Sequence, residues 1–241
     1  MTLLRGTFTV ARRVLLTLRG DRRTLALVVF VPAFIIYLLS EVFTQPEMIA
    51  HIMLGVFVFF LTYMLTAIGF LRERTAGTLE RVLAAPVSRS GLVTGYVVGY
   101  GLLATIQSIV LLVSGVYFLN VTFEHGVELF FLLEFLGAMT ALGIGILLSL
   151  FAQNEFQAIQ FIPLVISPQI ILGGTILPVE ELPIYLEYPA RVMPITYLVQ
   201  GMEYVVLGRG DAADLWIAVG ALGAFTIASL VVASVVVRRA R

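Results

Sequence analysis

Residues 50–74 read AHIMLGVFVFFLTYMLTAIGFLRER, an apolar run from Ala50 to Leu71 that ends abruptly on Arg72, Glu73 and Arg74. At 1.5 Å per residue, a helix needs about 20 mostly apolar residues to cross the hydrocarbon core of a bilayer. The run has that length, contains no acid and no arginine, and meets its first charges where a spanning helix would emerge into water. Further stretches of the same character flank it, at roughly 24–43, 92–119, 127–152, 158–177 and 214–237. The sequence therefore predicts an all-α integral membrane protein with six transmembrane helices. The third and fourth are long enough to tilt or protrude from the bilayer.

Composition agrees. Apolar residues make up 60% of the 241 and charged residues 12%, and the mean hydropathy is +1.03. A soluble domain carries about 25% charge, whereas in lipid the outside can be as apolar as the inside. Residues 1–241 read as a single transmembrane domain with no soluble domain fused to it, and the arginine-rich start has no small-residue cleavage site of a signal peptide. Cysteine is absent, which excludes disulfides and thiolate metal sites. Every one of the fifteen basic residues is arginine. A phosphate-binding loop needs a lysine after its glycine-rich turn, so the chain is not expected to hydrolyse ATP itself.

Arginine placement predicts orientation. Six arginines precede the first span, Arg72, Arg74, Arg81 and Arg89 lie between the second and third, and Arg238, Arg239 and Arg241 follow the last. In a six-span chain these share one side, which the positive-inside rule makes cytoplasmic for both termini. The opposite loops are acid-rich, from Glu41 and Glu47 to Asp211 and Asp214.

Residues 1–23 are amphipathic: Leu4, Phe8, Ala11, Leu15 and Leu18 share one arc, and Arg5, Thr9, Arg12, Arg13 and Arg19 the other. The expectation is an interfacial helix, apolar face down and arginines toward lipid phosphates. Small residues recur every fourth position at Gly91, Gly95 and Gly99, and again at Gly137, Ala141, Gly145 and Ser149. Such stripes let another helix approach closely; ordinary packing within the chain is the expectation, a dimer or pore-lining face the alternative. Residues 178–213, with Pro178, Pro183, Pro189 and Pro194, are too interrupted to span and too apolar for a solvated loop. Short helices lying on or dipping into the outer leaflet fit them.

The segment 72–90 holds a short amphipathic helix from Thr78 to Ala85, with Leu79, Val82 and Leu83 on one side and Glu80 and Arg81 toward water. Gly77 lets the chain turn before it and Pro86 ends it. Its free face can receive another protein. With Glu73, Arg74, Gly77, Thr78, Leu79, Glu80, Leu83, Pro86 and Ser88, this link resembles that of ABC-2 type permeases, the membrane subunits of ABC exporters such as antibiotic-resistance permeases. Gly173–Gly174, Pro178, Leu182–Pro183, and Pro194 followed by Tyr197 resemble the outer-loop pattern of the same family. The resemblance implies a permease that forms a homodimer and pairs with two copies of a separate ATPase subunit. ATP and Mg would sit on that partner, with no cofactor on this chain. Residues Glu73 to Pro86, including Arg81, would form the coupling helix, and 178–213 short re-entrant helices at the exit.

Candidate chemistry is sparse. Glu134 sits about six residues, or roughly 9 Å, below Glu128 along a helix; it either lines a substrate path or pairs with a neighbouring helix. Gln107, Gln160 and Gln169 are suited to interhelical hydrogen bonds, with Gln107 and Gln169 as candidate path residues. His51 and His125 have no ligand cluster around them, and neither makes a serine-protease dyad with Ser114. The arginines are accounted for by topology and lipid phosphates, not nucleic acid. The expected function is an ATP-driven export permease in the cytoplasmic membrane, moving a hydrophobic or amphipathic substrate such as a drug or lipid. The alternatives are an ion-gradient-driven transporter, which would place charges near the midplane of two repeated halves, and a non-transport assembly subunit.

Overall fold

The chain, seen in a computed structural model, is described over residues 3–20, 22–76 and 89–239. All regular structure among them is helical: α1 (Leu3–Gly20), α2 (Arg22–Val42), α3 (Ala50–Thr75), α4 (Arg89–Phe118), α5 (Val127–Ser149), α6 (Glu155–Leu172), α7 (Ile184–Ala190), α8 (Pro194–Leu207) and α9 (Ala212–Arg239). Short 3-10 turns lie at Pro46–Met48 and Val179–Glu181. Among the described residues, five segments are long and apolar enough to cross a membrane: Ala50–Thr75, Thr94–Phe118, Val127–Ser149, Glu155–Leu172 and Ala212–Val236. Val28–Val42 of α2 forms a shorter apolar stretch.

One span is displaced from its sequence-based bounds. The helix expected over 158–177 occupies Glu155–Leu172. It starts earlier because Asn154 caps it, its side chain accepting the Gln157 N–H at 2.9 Å, a contact that satisfies an orphan donor of the first turn. It ends earlier at Gly173–Gly174, where Gly174 has φ +78°, a conformation that glycine adopts without strain and that breaks the helix. Pro163 and Pro168 lie inside it, and each removes an intrahelical hydrogen bond.

The centre of the bundle is α3 against α5. Around them α4 carries α1 and α2 on its outer side, and α9 lies along α5 and α8. The core holds Leu54, Phe59, Tyr63, Phe130, Leu133 and Leu198, all fully buried. The small-residue stripes serve packing within the chain. A Cβ at Gly95 would lie 2.5 Å from Val10 Cβ, and one at Gly99 2.8 Å from Val14 Cβ, so α1 fits against α4 only because both residues are glycine. On α5, Gly137 faces Leu198 of α8 and Gly145 faces Thr66 and the Tyr63 carbonyl of α3.

Helix α1 adds a protein contact to the two-faced reading of the N-terminus. Val10, Ala11 and Val14 are its buried stripe, and Phe8 of the apolar arc is 72% exposed; Arg12 of the polar arc is exposed as well. At 100° per residue the helix has three sectors: one on α4, an apolar fringe at Phe8, and arginine. The apolar arc is wide enough for both a protein contact and lipid.

Within 178–213, α8 is a packed core element. Ile195, Leu198, Val199, Met202 and Val205 are buried. Leu198 meets Gly137, ten residues into α5, so α8 reaches roughly 15 Å down the bundle. At its other end the His125 N–H donates to the Val205 carbonyl at 3.2 Å, beside the start of α5. Pro194 supplies its first turn and Gly208, at φ +64°, its last cap, the usual proline-first, glycine-last asymmetry.

Candidate functional site

The last turn of α3 carries Arg72, Glu73 and Arg74 in succession. Consecutive helical residues point about 100° apart, so three adjacent charges reach three different neighbours. Leu71, fully buried, fixes the turn against Ala152 and Ala158.

Arg72 reaches α6. Its Nε and an Nη donate to the two oxygens of Glu155, at 2.8 and 3.1 Å, the two-point geometry that guanidinium and carboxylate share. Glu155 stands in the first turn of α6, where a negative charge meets the positive end of the helix dipole. Both side chains are more than half exposed, at 57% and 51%, so the pair adds at most about 1 kcal/mol to stability.

Glu73 reaches α1 and α4. Its Oε2 takes the Arg13 guanidinium at 3.2 Å and the Tyr96 hydroxyl at 3.3 Å. Only 13% of its side chain is exposed, and the aromatic floor below it is tight. Phe70 and Tyr96 pack edge to face at 5.1 Å, and Tyr96 stacks on Tyr100 at 6.3 Å.

Arg74 reaches the end of α5. Its guanidinium donates to the Leu150 carbonyl at 2.5 Å and to the Ala152 carbonyl. The last carbonyls of a helix have no intrahelical partner, and a cation there also meets the negative end of the dipole. Thus one turn of α3 holds α1, α4, the α5–α6 connection and α6 together, at the point where the chain leaves for 77–88.

Of the residues predicted for this site, Glu73 and Arg74 are at its centre. Gly77, Thr78, Leu79, Glu80, Arg81, Leu83 and Pro86 lie outside the described residues. The candidate path residues are all buried. Glu134 is fully enclosed within the bundle on α5, and neither of its oxygens has a hydrogen-bond partner among the described residues. Gln107 on α4 leaves its Nε2 without a partner among the described residues, and Gln169 on α6 donates to the Val165 carbonyl at 3.3 Å. Sequence reasoning did not assign Arg13, Arg72, Tyr96 or Glu155 to the site. A signal existed for Glu155, an acid on the arginine-rich side; none marked Tyr96, which reads as an ordinary apolar position.

Residues 5–207 match the family described as ABC-2 type transporter. The chain is 30% identical over 156 residues to ABC transporter G family member 20 of Dictyostelium discoideum, covering 64% of this chain and 21% of that protein. It is 26% identical over 175 residues to the probable multidrug ABC transporter permease YbhR of Escherichia coli, covering 72% and 46%. It is 25% identical over 165 residues to the linearmycin resistance permease protein LnrN of Bacillus subtilis, covering 68% and 43%. The chain thus spans less than half the length of these relatives.

Proposed function

Because this chain belongs to the ABC-2 type transporter family, we propose that it is the transmembrane permease of an ATP-driven exporter in the cytoplasmic membrane. In this reading α2 is the sixth crossing. Both termini and the α3–α4 link face the cytoplasm, as the segregation of arginine supports. Two copies form a homodimer, and two separate ATPase subunits carry ATP and Mg. The segment 77–88 is the coupling element that docks on the ATPase.

The observation that carries this reading is the three-way tether of Arg72, Glu73 and Arg74. A force applied to 77–88 enters α3 at Ala76 and passes to α1 and α4 through Glu73. It passes to α5 and α6 through Arg74 and Arg72. Because the packed bundle below deforms in discrete steps, not continuously, displacement at this turn becomes a change in how spanning helices meet. Substrate then leaves by alternating access. The names of the relatives, multidrug and linearmycin resistance permeases, support a hydrophobic or amphipathic substrate.

The test is co-purification of the tagged chain with the ATPase encoded beside it, followed by ATPase and vesicle transport assays of wild type and Glu80→Arg. A stable complex whose ATPase activity and ATP-dependent transport fall in the variant supports coupling through 77–88. If no ATPase associates and transport follows an imposed ion gradient instead, the gradient-driven reading takes over, with the buried Glu134 as its first candidate residue.

A further inference from the structure

Helix α6 buries only Ala158, Ile166 and Gln169 of its eighteen residues, on the side turned toward the bundle. Its other side is an exposed stripe of Phe156, Gln160, Pro163, Leu164, Ser167 and Ile171, recurring every three to four residues as one side of a helix does. Two of these residues are polar. Gln160 stands about 8 Å in from one end of the helix and Ser167 about 8 Å in from the other, so both lie at hydrocarbon depth when α6 spans.

The polar groups of this stripe are unmet. Glu155, Gln157 and Gln169 of α6 take part in hydrogen bonds, whereas the side chains of Gln160 and Ser167 have no partner among the described residues. The backbone adds to them. Pro163 and Pro168 carry no N–H for the Ile159 and Leu164 carbonyls one turn earlier, and Ile159 and Leu164 are 47% and 70% exposed. Lipid tails offer none of these groups a partner, and leaving them unmet in hydrocarbon is costly. The other spans show what a lipid-facing side looks like in this chain. The exposed residues of α4 from Val98 to Val116, and of α9 from Ile217 to Val235, are apolar throughout, glycine and alanine included.

Whatever covers α6 must supply donors and acceptors at two depths, seven residues apart, and no charge, because the stripe carries none. A second copy of this chain does so. A twofold axis along the membrane normal brings the same residue of each copy to the same depth. The glutamine amide and the serine hydroxyl each hold both a donor and an acceptor. Each can therefore bond its own counterpart, with the freed carbonyls as further acceptors.

We propose that two copies of this chain meet along α6, with Gln160 and Ser167 of each copy hydrogen-bonded to the same residues of the other. This assigns the homodimer of the permease reading to one helix and rests on that reading for the second copy. The contact itself is tested on this chain without any ATPase.

The chain contains no cysteine, so a single introduced cysteine reports alone. Leu164→Cys, between the two polar residues, is compared with Val113→Cys on α4 and Ile227→Cys on α9, all at exposed positions, by copper-phenanthroline oxidation of the full chain in native membranes. A disulfide needs Cα atoms within about 7 Å of each other. The expected result is a disulfide-linked dimer for Leu164→Cys and background for the other two. In a second measurement, sedimentation equilibrium in dodecyl maltoside, Gln160→Leu combined with Ser167→Ala should raise the dimer dissociation constant about tenfold, the size of two interhelical hydrogen bonds in a membrane. Were lipid the neighbour of this stripe, the same double variant would only remove polarity from a lipid-facing side and leave self-association unchanged. Cross-linking at Val113 or Ile227 but not at Leu164, a dimer that the double variant does not weaken, or linkage of Leu164→Cys only to a protein of another mass overturns the proposal. A wild-type chain that stays monomeric at every concentration overturns the homodimer as well. A dimer linked through α6 to which no ATPase binds supports this contact and refutes the permease reading alone.

Discussion

Arg72 and Arg74 stand two residues apart at the same helix end, yet the structure predicts very different costs for removing them. Arg74→Ala takes away two charge-assisted hydrogen bonds to the Leu150 and Ala152 carbonyls. A hydrogen bond to a charged group contributes about 1.5–3 kcal/mol. The site is half-buried, so water re-solvates part of what is lost, and the expected cost is about 2–3 kcal/mol. Arg72→Ala breaks a pair whose members are 57% and 51% exposed, for which about 0–1 kcal/mol is expected. Thermal unfolding of the purified protein, followed by size-exclusion fluorescence, separates the two. For a chain of this size 1 kcal/mol moves Tm by about 2–4 °C. Arg74→Ala should therefore lower Tm by about 4–12 °C and Arg72→Ala by no more than about 4 °C. Arg74→Lys should recover only part of the loss, because one ammonium cannot reproduce a planar fork across two carbonyls. Equal losses for the two alanine variants, or full recovery by lysine, would refute the idea that helix-end carbonyls anchor this turn.

Two other substitutions test the packing. Gly99→Leu forces a side chain to where Val14 Cβ already stands, 2.8 Å from the added Cβ. It should release α1 from α4, read as a lowered Tm in the same thermal assay; a wild-type Tm would show that α1 is held by other contacts. Glu134→Gln removes a carboxyl whose oxygens have no partner among the described residues, so stability should stay level or rise by about 1 kcal/mol, since an unsatisfied buried group only costs. A fall of more than about 2 kcal/mol in the same thermal assay would reveal a partner essential to the fold.

The parts of this molecule that were legible in the sequence are those fixed by a one-dimensional pattern. Bilayer thickness sets a run length, so the bounds of α3, α4, α5 and α9 could be read to within a few residues, and arginine segregation marked one end of the bundle. The displaced bounds of α6 arose where a local backbone event overrode hydropathy: an asparagine cap at one end and a positive-φ glycine at the other. Residues Ile176 and Leu177 are apolar enough to prolong a span on paper, yet the chain has already turned at Gly174. The site divides the same way. Glu73 and Arg74 are visible because charges that close an apolar run stand out. Their partners are not, since Arg13, Tyr96, Ala152 and Glu155 come from distant parts of the chain, and no spacing rule joins residue 73 to residues 13 and 96. What joins them is the approach of α1 to α4 over Gly95 and Gly99, which brings the Arg13 side of α1 beside the end of α3. The glycine stripe was legible as a packing face; its consequence, that an arginine of the N-terminal helix reaches the turn from which the α3–α4 link departs, exists only in three dimensions. A glycine substitution distant in sequence should therefore weaken the Glu73 contact without altering any residue of the junction, as a site assembled by packing requires.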